Sequence, residues 1–251
     1  MELDRCNYKE IEEYLKKNDS VIIAIGAIAQ HGCGCSLGTD ARIPDAVATQ
    51  VSEQLGIMRI PILPYGVSTN HLEFAGTISL KPSTLSAMFR DIFVSLYRHG
   101  FRRFFVINGH VDNNRCLTGE ILTLMDEFPG CLLFIRDFWE FDQMQALMKE
   151  QLGEVGSHNR ATDVSLMMHL SNDEVKTDLL TAERPVVNAF VSHDLMKWYG
   201  TKEGSIVSDQ CKATPHLGAQ MFNCIVESFK EDVVRLLNID LNVASHPQYL
   251  G

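Results

Sequence analysis

The chain has 251 residues, of which 45% are hydrophobic and 22% charged, an ordinary balance for a globular protein able to bury a sizeable core. Its formal charge of −10 argues against a general nucleic-acid or acidic-membrane surface, though not against a local basic pocket. No apolar run approaches the ~20 residues of a membrane span, and the N-terminus "MELDRCNYKEIEEYLKKND" has no apolar leader core. With seven scattered cysteines read as reduced thiols, the expectation is a cytoplasmic protein with neither nucleic acid nor membrane as partner.

Tyr8 to Lys17 reads as a short amphipathic helix with Ile11, Tyr14 and Leu15 on one face. "SVIIAIGAIA" is a continuous apolar run suited to a buried strand. "IPDAVATQVSEQLG" is helical with Gly56 as its stop, and "IMRIPILPYG" is a second strand whose prolines blur its limits. "KPSTLSAMFRDIFVSLYRHG" is the clearest helix, opened by Pro82 and closed by Gly100. There follow a strand in "RRFFVING", a helix in "NNRCLTGEILTLMDEF" and a strand in "CLLFIRDFW". A short helix in "ATDVSLMMHL" and a long one in "GAQMFNCIVESFKEDVVRLLN" complete the series. Residues 171–212 are the least periodic and suit loops over a site or an oligomer contact.

Strands alternating with helices predict an α/β fold with a mainly parallel sheet and helices on both faces, in one domain over 1–251. Sites in such sheets lie beyond the carboxyl ends of the strands. Two strand ends here carry the same cargo: "AIAQHGCGCSLGTD" supplies His31 and Asp40, and "NGHVDNN" supplies His110 and Asp112. Imidazole and carboxylate together suit Zn²⁺, Mn²⁺ or Fe²⁺, and such an ion lowers the pKa of a bound water and polarises a carbonyl. Taken singly, each aspartate also fits a helix cap. His158, in "GSHNRATDVSLMMHL", fits a general acid/base on a loop entering a cleft, and equally a surface histidine before a helix. His71, in "GVSTNHLEFAGTISL", sits in a constrained loop suited to lining substrate.

The pattern resembles the creatininase (creatinine amidohydrolase) family over almost the whole chain. The family's G-S-x-E-Q-H-G-P-H-L-P-L-G-T-D corresponds to "GAIAQHGCGCSLGTD", and its G-x-S-x-x-H-x-x-F-P-G-T-x-S to "GVSTNHLEFAGTIS". Its N-G-H-x-x-N corresponds to "NGHVDN", and H-A-G-x-x-E-T-S to "HNRATDVS". The resemblance implies a three-layer α/β/α fold and one or two divalent ions, Zn or Mn with Fe as a further option. His31 would ligate one ion, His110 the other, Asp40 both, and Asp112 would replace a glutamate ligand. His158 would shuttle protons, and Ser68, His71 and Val111 would face a small-molecule substrate. The implied reaction is hydrolysis of a cyclic amide or formamide-type C–N bond by metal-activated water. The implied assembly is a homo-oligomer, commonly a hexamer.

Departures from the family matter. Its glutamate ligand falls on Ala29, which cannot bind metal. Val111 and Glu154 stand where aromatic residues would surround creatinine, so creatinine is not the expected substrate. Cys33 and Cys35 flank Gly34 at non-ligand positions, either as loop packing or as a thiolate substitute for the lost glutamate. Ring opening of a cyclic polyol ketone, and a degenerate non-catalytic binder, are the alternative functions.

Overall fold

The computed structural model describes residues 1–153, 161–182 and 209–241. Four parallel strands, β1 (Ser20–Ile25), β2 (Met58–Arg59), β3 (Arg103–Asn108) and β4 (Leu132–Asp137), run in the order β2-β1-β3-β4. The register pairs Ile25 with Asn108 and Asn108 with Asp137, so three strands end level at one edge.

Side chains alternate across the sheet because successive Cβ atoms of a strand point to opposite faces. Ile22, Ala24, Phe105 and Ile107 face one layer. It is formed by α2 (Thr39–Leu55), α5 (Asp142–Leu152), α6 (Ala161–Leu170) and α7 (Pro215–Leu237). Val21, Ile23, Ile25, Phe104 and Val106 face the other layer, which contains α3 (Pro82–His99) and α4 (Val111–Glu127). A small helix, α1 (Tyr8–Leu15), adds Ile11, Tyr14 and Leu15 at the margin of that second core. This is the three-layer α/β/α arrangement with a parallel sheet. Burial on both faces explains why the interiors of β1 and β3 are continuously apolar rather than alternating.

Several elements differ from the sequence expectation. The second strand forms a regular ladder over Met58–Arg59 alone, because Pro61 and Pro64 have no N–H to donate. The segment still follows β1: Ile60 N–H donates to Ile22 O, and Leu63 N–H to Ala24 O. Helix α2 begins at Thr39 and not Ile43, so Pro44 is its sixth residue and offers no N–H to the Asp40 carbonyl one turn back. Helix α4 begins at Val111, two residues earlier than its apolar pattern suggests, and thereby takes in Asp112. Helix α5, unassigned from sequence, buries Met144, Met148 and Leu152 at a spacing of four residues.

Candidate metal centre at the strand ends

Asp40 lies in the first turn of α2, where the positive end of the helix favours a carboxylate. Two glycines let that turn approach the sheet edge. A Cβ on Gly26, just past β1, would stand 2.4 Å from the Asp40 carbonyl oxygen; one on Gly109, just past β3, would stand 2.1 Å from it. Any larger residue at either position would push α2 away, so Asp40 reaches the space between the strand ends because both turns lack a side chain there.

The buried Asp40 carboxylate faces two histidines, Oδ1 being 2.9 Å from His31 Nε2 and Oδ2 2.6 Å from His110 Nδ1. The far nitrogen of each ring has a neutral partner. His31 Nδ1–H donates to Ala29 O across 3.0 Å, and His110 Nε2 lies 3.3 Å from Ser68 Oγ. Both histidines therefore turn one anchored nitrogen outward and one nitrogen towards a shared carboxylate. Burial by itself would lower the His31 pKa, but the Asp40 charge outweighs it and carries the group up to about 9. Burial works against the Asp40 carboxylate too, yet the two histidines hold it well below the usual range. A proton on His31 thus balances charge where a cation would.

The β3 turn is braced from behind. His110 N–H donates to Asn108 Oδ1, and Asn108 Nδ2 donates to His110 O and to Asp137 Oδ1. Asn114 Nδ2 donates to Asp137 Oδ2 across 2.6 Å. Asn113 links this turn to the rest of the site: its Nδ2 donates to Gly26 O, and its Oδ1 accepts from Val67 N–H. Burial pushes the Asp137 pKa up, against these donors.

The loop at 66–80 closes over the other side. Ile78 N–H donates to Ile28 O and Leu80 N–H to Gly66 O, which fixes Ser68 and His71 near the strand ends. His71 is buried, with its ring edge-on to His110 at 5.9 Å between centroids. Its Nδ1 lies 2.9 Å from Gln30 Nε2. Burial and the neighbouring His110 and His31 push the His71 pKa down to about 3. His71, His110 and Asp112 each place one ligand atom within 4.8 Å of the others, close enough to hold one ion. Asp112 is half-buried and accepts from Asn70 Nδ2 across 3.4 Å.

Of the residues singled out from sequence, the structure gathers His31, Asp40, His110, Asp112, Ser68 and His71 at one edge of the sheet. Val111 opens α4 with its side chain exposed beside them. His158, Glu154 and residues 183–208, including Trp198, lie outside the described residues. Cys35 is buried in the core of the α2 layer, and burial pushes its thiol up to about 12; Cys33 is exposed. A protonated core thiol favours the packing role over the thiolate role for Cys35.

Two residues of the site escaped the sequence reading. Gln30 adjoins His31 and occupies the glutamine of the first motif. Asp163, buried on α6, has a charge that acts on His31; its signal was a lone acid in an apolar helix, at the glutamate of the fourth motif.

The model of the creatinine amidohydrolase family matches residues 4–233. The chain belongs to this family. Creatinine amidohydrolase of Pseudomonas putida is 31% identical over 196 residues, 71% of this chain and 75% of that protein. A mycofactocin precursor peptide peptidase of Mycobacterium tuberculosis strain H37Rv is 27% identical over 233 residues, 86% of this chain and 85% of its own. A 3-dehydro-scyllo-inosose hydrolase of Thermotoga maritima is 28% identical over 103 residues, 41% of this chain and 33% of its own. A crystal structure of creatininase shares the fold with a TM-score of 0.85 at 23% identity, covering 95% of this chain and 98% of that one. Creatininase structures of the same fold include a manganese form and a zinc–zinc form.

The residues present fit such an ion. A ligating histidine ordinarily donates its second N–H to a carbonyl or similar partner, which frees the other nitrogen. His31 meets that condition through Ala29 O, and His110 through Ser68. The carboxylates of Asp40, Asp112 and Asp163 supply negative charge suited to a divalent cation.

Proposed function

We propose that this protein is a divalent-metal-dependent hydrolase that cleaves an amide C–N bond, of the cyclic-amide or formamide type, in a small molecule other than creatinine. The observation that carries this reading is the Asp40 carboxylate, with one oxygen on His31 and the other on His110. His31, Asp40, His110 and Asp112 would hold one or two Zn²⁺ or Mn²⁺ ions. Asp40 would be shared, and Ala29 leaves the ion beside His110 with fewer protein ligands. A bound ion of this kind supplies a Lewis acid for the carbonyl and lowers the pKa of water.

The chain's own residues supply the rest. Ser68 holds His110 through Nε2 and so aims Nδ1 at the ion's position. The Asn108–Asp137 pair keeps the β3 turn from moving when charge in the site changes. His158 is assigned the proton transfer to the leaving nitrogen. Val111, exposed at the start of α4, is smaller than the aromatic residue that creatinine would need there, which supports a substrate unlike creatinine.

The test is metal analysis followed by assay. Protein purified and equilibrated with Zn²⁺ or Mn²⁺ is expected to retain at least one ion per chain. It should hydrolyse at least one of a panel of N-formyl amines, lactams and short peptides. His158→Ala should abolish turnover with metal retained. Loss of neither metal nor activity in Asp40→Asn would end the proposal. Similarity to the inosose hydrolase favours a second reading, ring opening of a cyclic polyol ketone, and the same protein turning over only such ketones would select it.

A further inference from the structure

We infer that His71 is not a metal ligand but a hydrogen-bond donor to the substrate's carbonyl oxygen, with its tautomer set by Gln30. The inference rests on the hydrolase reading for its substrate, and on hydrogen-bond geometry for its tautomer.

Gly32 N–H can only donate, and it donates to Gln30 Oε1 across 3.1 Å. That bond fixes which way the buried Gln30 amide lies and turns its NH₂ to the other side. There Nε2 is 2.9 Å from His71 Nδ1. An amide NH₂ also only donates, so His71 Nδ1 accepts. A neutral imidazole that accepts at Nδ1 carries its proton on Nε2.

Two histidines of the site, His31 and His71, are thus set in opposite senses. The carbonyl of Ala29 requires a proton on His31 Nδ1 and leaves Nε2 with a lone pair for a cation. The Gln30 amide requires the reverse of His71. Proximity does place His71, His110 and Asp112 ligand atoms within 4.8 Å of one another. Ligation by Nε2 of His71 would nevertheless require the Gln30 amide to turn over, leaving its NH₂ against Gly32 N–H. The His71 ring lies 5.9 Å from that of His110, and a donor close to the cation ligands is what the developing negative charge of an amide carbonyl needs.

The tautomer is read directly by long-range ¹⁵N–¹H NMR on protein labelled with ¹⁵N-histidine and loaded with ¹¹³Cd²⁺, with His71 assigned by its loss in His71→Gln. Expected is an Nε2–H tautomer with no cadmium coupling at His71, and cadmium coupling at His31. Gln30→Glu offers an acceptor in place of the amide NH₂ and should switch His71 to the Nδ1–H form without loss of cadmium. Both variants should lower kcat about 100-fold with KM little changed, the size expected for one oxyanion donor. Cadmium coupling at His71, or an Nδ1–H tautomer in the wild type, overturns the inference and leaves the hydrolase reading standing. Wild-type protein with the expected tautomer and bound cadmium, whose zinc and manganese forms hydrolyse no amide, overturns the hydrolase reading and with it the role of the donor.

Discussion

The two strand ends that build the site are held in different ways. The turn after β3 is braced by side chains: buried Asn108, Asn113 and Asp137, with half-buried Asn114, form a network around His110. The turn after β1 leans on others. Besides Ala29 N–H to Leu37 O within the turn, Ile28 O accepts from Ile78 N–H and Gly34 O from Lys176 N–H. Departures from the family fall in both turns, with Ala29, Cys33, Gly34 and Cys35 after β1 and Val111 and Asp112 after β3. A turn whose shape rests on main-chain bonds tolerates side-chain replacement. One whose shape rests on side-chain amides tolerates it only beside them, as at Val111 and Asp112.

That contrast can be broken at the carboxylate joining the two ends. Asp40→Ala should remove bound Zn²⁺ and, in metal-free protein, cost about 3–5 kcal/mol, because it strands two buried imidazoles; denaturant titration with metal analysis measures both. Gly109→Ala puts a methyl group against Asp40 O and Pro44, and is expected to cost ~3 kcal/mol and to weaken metal binding as α2 shifts. Asn113→Ala leaves Val67 N–H and Gly26 O without this partner. A loss of about 2 kcal/mol in urea unfolding is expected, with faster amide exchange in both turns.

Two substitutions in the β1 turn sharpen the comparison. Ala29→Glu restores a carboxylate where the family has a ligand, and should raise the metal content of Mn²⁺-equilibrated protein towards two ions per chain. An unchanged stoichiometry would show that the turn itself, and not the missing side chain, limits the second ion. Cys33→Ser should change neither metal content nor melting temperature, since the side chain is exposed. A fall in metal affinity there would revive the thiolate.

Much of the fold was legible in the sequence. The apolar runs of β1 and β3, and the proline and glycine that bracket α3, are local signals of burial and chain direction. The short β2 and the early starts of α2 and α4 were not legible, because packing at the sheet edge decides how far a ladder or helix continues. The site divides in the same way. His31, Asp40, His110 and Asp112 stood out as a repeated residue type at two strand ends. Gln30 and Asp163 did not: each stands at a motif position, but neither position says which histidine the side chain will meet.

Sequence alone determined the alternation of strands and helices, the family, and the kinds of donor at the strand ends, because these follow from periodic burial and from residue identity. Only the tertiary structure decided which nitrogen of each histidine faces which partner. His110 meets Asp40 across 70 residues of chain and His71 meets Gln30 across 41. An imidazole takes its tautomer from the group brought against it, and folding brings that group.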